Sequence, residues 1–199
     1  MSDTIDETDS RLLAAFWQVI AAHGWPGVTL RRLAAAAHLP RAEISARCPG
    51  GPRDLLDLHG RLMDQAVTAG TVPGQGGTPR DRIFDVLMRR IDAMQPHRAG
   101  LVRLLEELRT EPGLALCLLA SLPRSMARLL DAAEIESSGL FGALRVQGVT
   151  AVWLATVRAW VEDDSVDLGP TMAALDRALD RAEQVARSLR LDPGDMAAS

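Results

Sequence analysis

The chain has 199 residues, of which 47% are apolar, 24% charged and 4% aromatic, with a formal net charge of −4; this is enough apolar material for the core of one domain, or of a small and a larger one. Every one of the 22 basic residues is Arg, so a Walker-type phosphate loop and Schiff-base catalysis, each of which needs a Lys, are excluded. Cys48 and Cys117 stand far apart without a CxxC spacing, which gives neither a disulfide framework nor a zinc site and points to a reducing compartment.

Residues 1–10, MSDTIDETDS, hold four acids and no base. They read as a disordered acidic tail, the reverse of a signal peptide's basic start. The first helix carries Leu13, Phe16, Trp17 and Ile20 at helical spacing, with Ser10 or Asp9 as its cap and Gly24 at its end. A second, short helix starts behind Thr29 with Leu30, Leu33, Ala34 and Ala37 on one face. His38-Leu39-Pro40 interrupts, and a third short helix runs to about Arg47. The run Cys48-Pro49-Gly50-Gly51-Pro52 breaks the chain before a fourth helix striped by Leu55, His59, Leu62 and Ala66.

Residues 69–80, AGTVPGQGGTPR, form the clearest loop, and without a preceding strand or a following Lys its GQGG is a connector rather than a phosphate cradle. Pro79, Pro96 and Pro112 open the fifth, sixth and seventh helices. The seventh is apolar nearly all round through LALCLLA, which predicts burial on several sides, and Pro123 is expected to kink or break it. That run, Leu114 to Ala120, is the longest apolar stretch. It is far shorter than the roughly 20 residues of a membrane span, so the expectation is a soluble, cytoplasmic protein. Two long helices close the chain, at about 140–161 and 170–190. The second repeats Met172, Leu175, Leu179, Ala182, Ala186 and Leu189 at alternating spacings of three and four, a heptad-like seam. No strand signal is present. The prediction is an all-α fold of about nine helices: tail 1–10, helix-turn-helix unit 11–55, ligand-binding and dimerisation domain 56–190, flexible tail 191–199.

The net charge conceals a split. Residues 11–61 carry seven Arg (11, 31, 32, 41, 47, 53 and 61) against Glu43, Asp54 and Asp57, while residues 62–199 are acidic on balance. A basic three-helix unit on an acidic body suits nucleic acid, because Arg neutralises phosphate locally. The second helix, the three-residue break and the third helix form a helix-turn-helix, in which the second member enters the major groove. Thr29 would offer its hydroxyl and free helix N–H groups to a phosphate. Thr29, Arg31, Arg41, Ser45 and Arg47 are the candidate DNA contacts.

The segment LLAAFWQVIAAHGWPGVTLRRLAAAAHLPRAEISARCPGGPRDLL resembles the N-terminal domain of TetR-family transcriptional regulators. The order of a helix, a Gly-aromatic turn, a Thr-led helix, a short turn, a recognition helix and a Gly/Pro break before Leu-Leu matches throughout. The resemblance implies an all-helical homodimer whose first helices bind operator DNA and whose last helices bind an inducer and dimerise. This chain departs from the family at Pro40, usually Ser, at Ser45, usually a phosphate-contacting Tyr, at Cys48, usually aromatic, and at Pro52, usually Lys. A second resemblance covers AVWLATVRAWVEDDSVDLGPTMAALDRAL, through Asp164, Ser165, Asp167, Leu168, Thr171 and Leu175. It is similar to the C-terminal segment of ubiquinone-biosynthesis accessory proteins, which use a TetR-like fold to bind lipids rather than DNA. The two resemblances agree on fold and differ on the partner.

Other constellations carry less. Glu162, Asp163, Asp164 and Asp167 lack the alternate spacing of a calcium loop and read as helix-terminating caps, not a metal site. The His residues at 23, 38, 59 and 97 form no metal or catalytic pair, and no nucleophile elbow is present; no enzyme and no cofactor are expected. His59 falls on an apolar stripe and reads as a satisfied buried His. Phe84, Met88, Leu105, Leu118, Trp153 and Trp160 are the expected lining of a pocket for a small apolar or lipid-like ligand. Val149, Val157, Leu175, Leu179, Ala182 and Ala186 are the expected homodimer seam.

Overall fold

Asp6 starts the first helix, earlier than Ser10 or Asp9 would. Its carboxylate accepts a hydrogen bond from the Asp9 N–H at 2.8 Å, and the Asp9 side chain reaches back to the Asp6 N–H at 3.4 Å. This reciprocal box satisfies donors that a helix start leaves open. Half of the expected acidic tail is therefore ordered by its own acids. The structure is a computed structural model that describes residues 6–69 and 76–188. Residues 1–5, most of the Gly-rich loop, residues 189–190 (with Leu189 of the expected stripe) and the tail 191–199 lie outside the described residues.

Nine α-helices and two short 3-10 turns occur among the described residues, with no strand. They are α1 (Glu7–His23), α2 (Leu30–Ala37), α3 (Arg41–Arg47), α4 (Pro52–Ala69), α5 (Pro79–Met94), α6 (Arg98–Glu107), α7 (Pro112–Ala132), α8 (Gly139–Glu162) and α9 (Gly169–Ser188); the turns are Trp25–Gly27 and Gln95–His97. Two compact units divide the chain: Met1–Ala66 with Asp92–Leu119, and Val67–Ile91 with Ala120–Ser199. This is not the expected break near residue 55, because α6 packs on α1. Gly100 makes that approach possible, since a Cβ there would stand 2.5 Å from the Trp17 carbonyl oxygen.

The first unit is built on α1, whose Leu12, Leu13, Phe16, Trp17 and Ile20 are all buried. Leu33 and Ala37 of α2 and Ile44 of α3 complete the apolar centre of the three-helix head. Arg11 donates to the Ala37 carbonyl at 2.9 Å, which satisfies an orphan acceptor at the end of α2 with a cation suited to that end of the helix dipole. At the other end of α1, Gly24 adopts φ +69° and lies against Glu107 of α6. The Glu107 carboxylate accepts from the Trp25 N–H at 2.7 Å and from Arg103 Nε at 2.9 Å. A side chain at position 24 would collide with it.

In the second unit α8 and α9 form the most extensive helix pair among the described residues. Val149, Val152, Trp153 and Trp160 of α8 are buried, as are Leu175 and Leu179 of α9. α7 does not break at Pro123. The hydrogen bond lost there belongs to the Leu119 carbonyl, and Leu119 is exposed, so water can replace the missing donor. Nor is α7 buried all round: Leu116 and Leu119 are 70% and 54% exposed. By length and composition α7 and α8 are each apolar enough to cross a membrane, with 28% and 33% of the qualifying windows buried. Counting unbroken apolar runs misses both, because single polar residues interrupt them.

Candidate nucleic-acid interface

The geometry of the α2–α3 pair follows from three local devices. Thr29 is extended and caps α2, its hydroxyl accepting from the Arg32 N–H at 3.3 Å. His38 takes the left-handed conformation (φ 52°, ψ 44°) and ends α2, with its N–H on the Ala34 carbonyl. Pro40 then fixes an extended residue ahead of α3, without a side-chain cap. Short helices this close need tertiary support. Leu33, Ala37 and Ile44 supply it by burying one side of each.

That leaves an outward face. Thr29, Arg31, Arg41 and Ser45 are exposed, as are Ala42 and Ala46. Arg31 and Arg41 form no ion pair among the described residues. Thr29, Arg31, Arg41 and Ser45 therefore stand where a duplex could meet them. Arg47 differs. Its Nη1 lies 3.0 Å from Asp6 Oδ2 and 2.8 Å from Asp9 Oδ1, and its Nε 3.7 Å from Glu43 Oε1. These hydrogen bonds to Asp6 and Asp9 raise the guanidinium's pKa. The Asp9 N–H, followed by Arg47, outweighs desolvation and lowers that of Asp6. In the free protein Arg47 is an internal ion-pair residue rather than a free DNA contact. Spacing alone could not reveal this, because the acids lie 38 and 41 positions away.

The departures from the TetR pattern have structural consequences. Cys48, at the aromatic position, is 8% exposed, and burial followed by the charges of Asp54 and Asp9 pushes its thiol up to about 11. It is a small core residue, not a reactive thiol. Pro52 opens α4, and Asp54 accepts from the Gly50 N–H at 2.6 Å to close the preceding turn.

Sequence reasoning undervalued one cluster of the first unit. Trp17 Nε1 donates to His59 Nδ1 at 3.2 Å, and His97 stacks on the Trp17 ring at 6.2 Å between centroids. The bond requires an unprotonated Nδ1. His59 is thus a satisfied buried His, as its place on the stripe suggested. Burial lowers the pKa of His97 from the usual 6.5.

In the second unit the expected acidic cluster is a cap built on Asp163, not on Asp164 of the resemblance. Asp163 is 4% exposed. Its Oδ2 accepts from the Thr171 N–H at 2.9 Å and hydroxyl at 2.6 Å, and its Oδ1 from the Ser165 N–H at 3.0 Å and hydroxyl at 2.5 Å. Burial pushes this carboxyl up, but the four donors outweigh burial and hold it well below the carboxylate range. Asp167 accepts from the Gly169 N–H at 3.3 Å. Ser165, Asp167 and Thr171 therefore serve the turn between α8 and α9.

The expected seam residues Val149, Leu175 and Leu179 are buried within the second unit, with Val157, Ala182 and Ala186 half-buried. α9, which carries the heptad-like stripe, packs against α8 of its own chain. The exposed apolar residues are Leu140, Phe141, Leu144 and Leu154 on α8 and Val185 on α9. Among the expected pocket residues, Trp160 is fully buried, and Trp153 lies under the Arg90 guanidinium at 5.1 Å. Arg90, itself 8% exposed, donates to the Ser125 hydroxyl at 2.8 Å. Phe84 and Met88 of the same unit are half-buried, while Leu105 and Leu118 belong to the first unit and are half-buried there.

The helix order and capped α2–α3 hairpin define the fold of the TetR transcriptional regulators. A solved TetR transcriptional regulator from Nitrosomonas europaea ATCC 19718 matches with a TM-score of 0.73 over 90% of this chain and 99% of that one, at 19% identity. No protein-family model matches the chain, and no curated protein does.

Proposed function

We propose that the protein is a TetR-like, ligand-responsive transcriptional regulator of the cytoplasm that binds operator DNA as a homodimer. One observation carries the reading: the α2–α3 hairpin presents Thr29, Arg31, Arg41 and Ser45 outward, with both guanidiniums free of ion pairs among the described residues. Exposed Arg beside a helix start supplies phosphate contacts, and the small residues Ala42, Ser45 and Ala46 let α3 lie close to base edges. Mobility shift on the DNA upstream of the protein's own gene tests this. Arg41→Ala weakens the complex and lowers the salt slope by about 0.9, the share of one phosphate contact; an unchanged complex refutes the assignment.

The dimer of this reading uses the exposed stripe of α8, Leu140, Leu144, Ala151 and Leu154, with Val185 of α9. Their spacings follow one helix face, and two such faces bury each other in a four-helix arrangement. Leu154→Glu gives a monomer by light scattering, and an intact dimer rejects the stripe. A small apolar effector would lodge within the second unit, beside Phe84, Met88, Trp153 and Trp160; a thermal-shift screen with fatty acids, isoprenoids and planar aromatics tests it.

The second reading is a TetR-fold lipid-binding accessory protein of ubiquinone biosynthesis that does not bind DNA. Arg47 neutralised by acids and Ser45 at the Tyr position favour it. Mass spectrometry of lipid extracted from the purified protein, beside the mobility shift, separates the two.

A further inference from the structure

Of the seven arginines in residues 11–61, Arg11 and Arg32 are tied to neutral carbonyls, those of Ala37 and Gly27 at 2.9 Å each. Their charge remains. Arg47 is the one among them that the described residues surround with carboxylates, and it lies in the last turn of α3, the helix a groove would receive. One guanidinium against Asp6, Asp9 and Glu43 leaves this cluster negative by two charges, while Arg41 in the first turn of α3 forms no ion pair among the described residues.

The acids on this guanidinium are also placed in advance. Asp6 and Asp9 form the capping box of α1, so the start of the helix fixes both carboxylates before Arg47 reaches them. An ion pair of pre-set groups loses less side-chain entropy than one between two free side chains. Arg47 Nη1 donates to both oxygens of Asp6, at 3.1 and 3.0 Å, and to Asp9 at 2.8 Å. A DNA phosphate offers the same kind of acceptor, anionic oxygens in a compact group, to the same nitrogen.

We propose that the acidic start of α1 is an internal competitor for DNA: Asp6 and Asp9 hold Arg47 in the free protein, and a backbone phosphate must displace them before Arg47 contacts the duplex. The proposal rests on the DNA-binding reading and adds a brake to it. The brake lowers the affinity of α3 for any sequence equally, because it acts on a phosphate contact rather than on a base contact. It weakens as ionic strength rises, since all three acids are partly exposed.

The test uses the full-length protein and a fluorescein-labelled random-sequence duplex, followed by anisotropy over a range of salt. The double variant Asp6→Asn, Asp9→Asn removes the charges while Asn still caps α1, and far-UV circular dichroism checks that the helices remain. The variant binds about tenfold more tightly at low salt and steepens the salt slope by about 0.9, one added phosphate contact. Arg47→Ala changes little in the natural chain and abolishes the gain in the double variant. A gain that survives Arg47→Ala overturns the proposal, because the acids would then repel DNA directly. Unchanged affinity in the double variant, with binding that Arg41→Ala still weakens, overturns it while leaving the DNA-binding reading intact. No binding by the natural chain or the double variant removes both.

Discussion

Carboxylates do opposite work in the two units. Around Arg47 the acids Asp6, Asp9 and Glu43 are partly exposed and face a cation across water-accessible surface. In the turn between α8 and α9, Asp163 is buried and accepts four hydrogen bonds from N–H and O–H donors of Ser165 and Thr171. Exposed ion pairs contribute little to stability because solvent screens them. A buried carboxylate with its donors in place is costly to disturb, because every partner is then left without an acceptor. The first arrangement therefore sets what charge a ligand meets, and the second sets whether the fold holds.

The contrast is broken most severely at Asp163. Asp163→Ala strands the Ser165 and Thr171 donors and lowers stability by about 3 kcal/mol or more, read by chemical denaturation; a loss no larger than that of a surface substitution would remove Asp163 from the fold's supports. Next comes Gly100→Ala, whose Cβ forces α6 away from the Trp17 carbonyl and costs about 1–3 kcal/mol. Trp17→Phe keeps an aromatic ring but deletes the bond to His59 and leaves a cavity where the rest of the buried indole stood, costing about 1–3 kcal/mol. Arg47→Ala stands at the bottom, with a melting temperature indistinguishable from that of the natural chain.

Acid sharpens the comparison further. Burial holds His97 below the usual 6.5, so the unfolded chain takes up that proton more readily, and stability declines as pH falls below about 6.5. Asp163 is held below the usual 3.8, so its contribution is complete above that value and is lost as pH falls beneath it. Two successive losses are expected in a pH series of denaturation midpoints. Asp163→Asn shrinks the lower one and leaves the upper. A single transition common to both proteins would dissociate the carboxylate from acid stability.

Much of the helical order was legible because its signals are local. Thr29, Gly24, Pro79 and Pro112 mark starts and ends through hydrogen bonds and dihedral angles that involve only their neighbours. The α9 stripe was legible as apolar but not as to its partner: a heptad-like spacing states that a face will be buried and does not say by which helix. That α7 runs on through Pro123 without breaking was not legible for a related reason. The cost of a proline in a helix depends on whether water can reach the carbonyl it abandons, and Leu119 is exposed.

The sequence by itself determined the all-helical class, the capped α2–α3 hairpin and the excess of arginine over acid in residues 11–61, since composition, caps and periodicity act within a few residues of one another. Only the tertiary structure decided which of those arginines remain available. Arg47 and its acids are brought together by the packing of α1 with the α2–α3 pair, and Trp17, His59 and His97 by α1 with α4 and the turn at Gln95–His97. Whether a charge is free or cancelled depends on distances of a few ångströms between residues tens of positions apart, and the burial of apolar side chains between helices sets those distances.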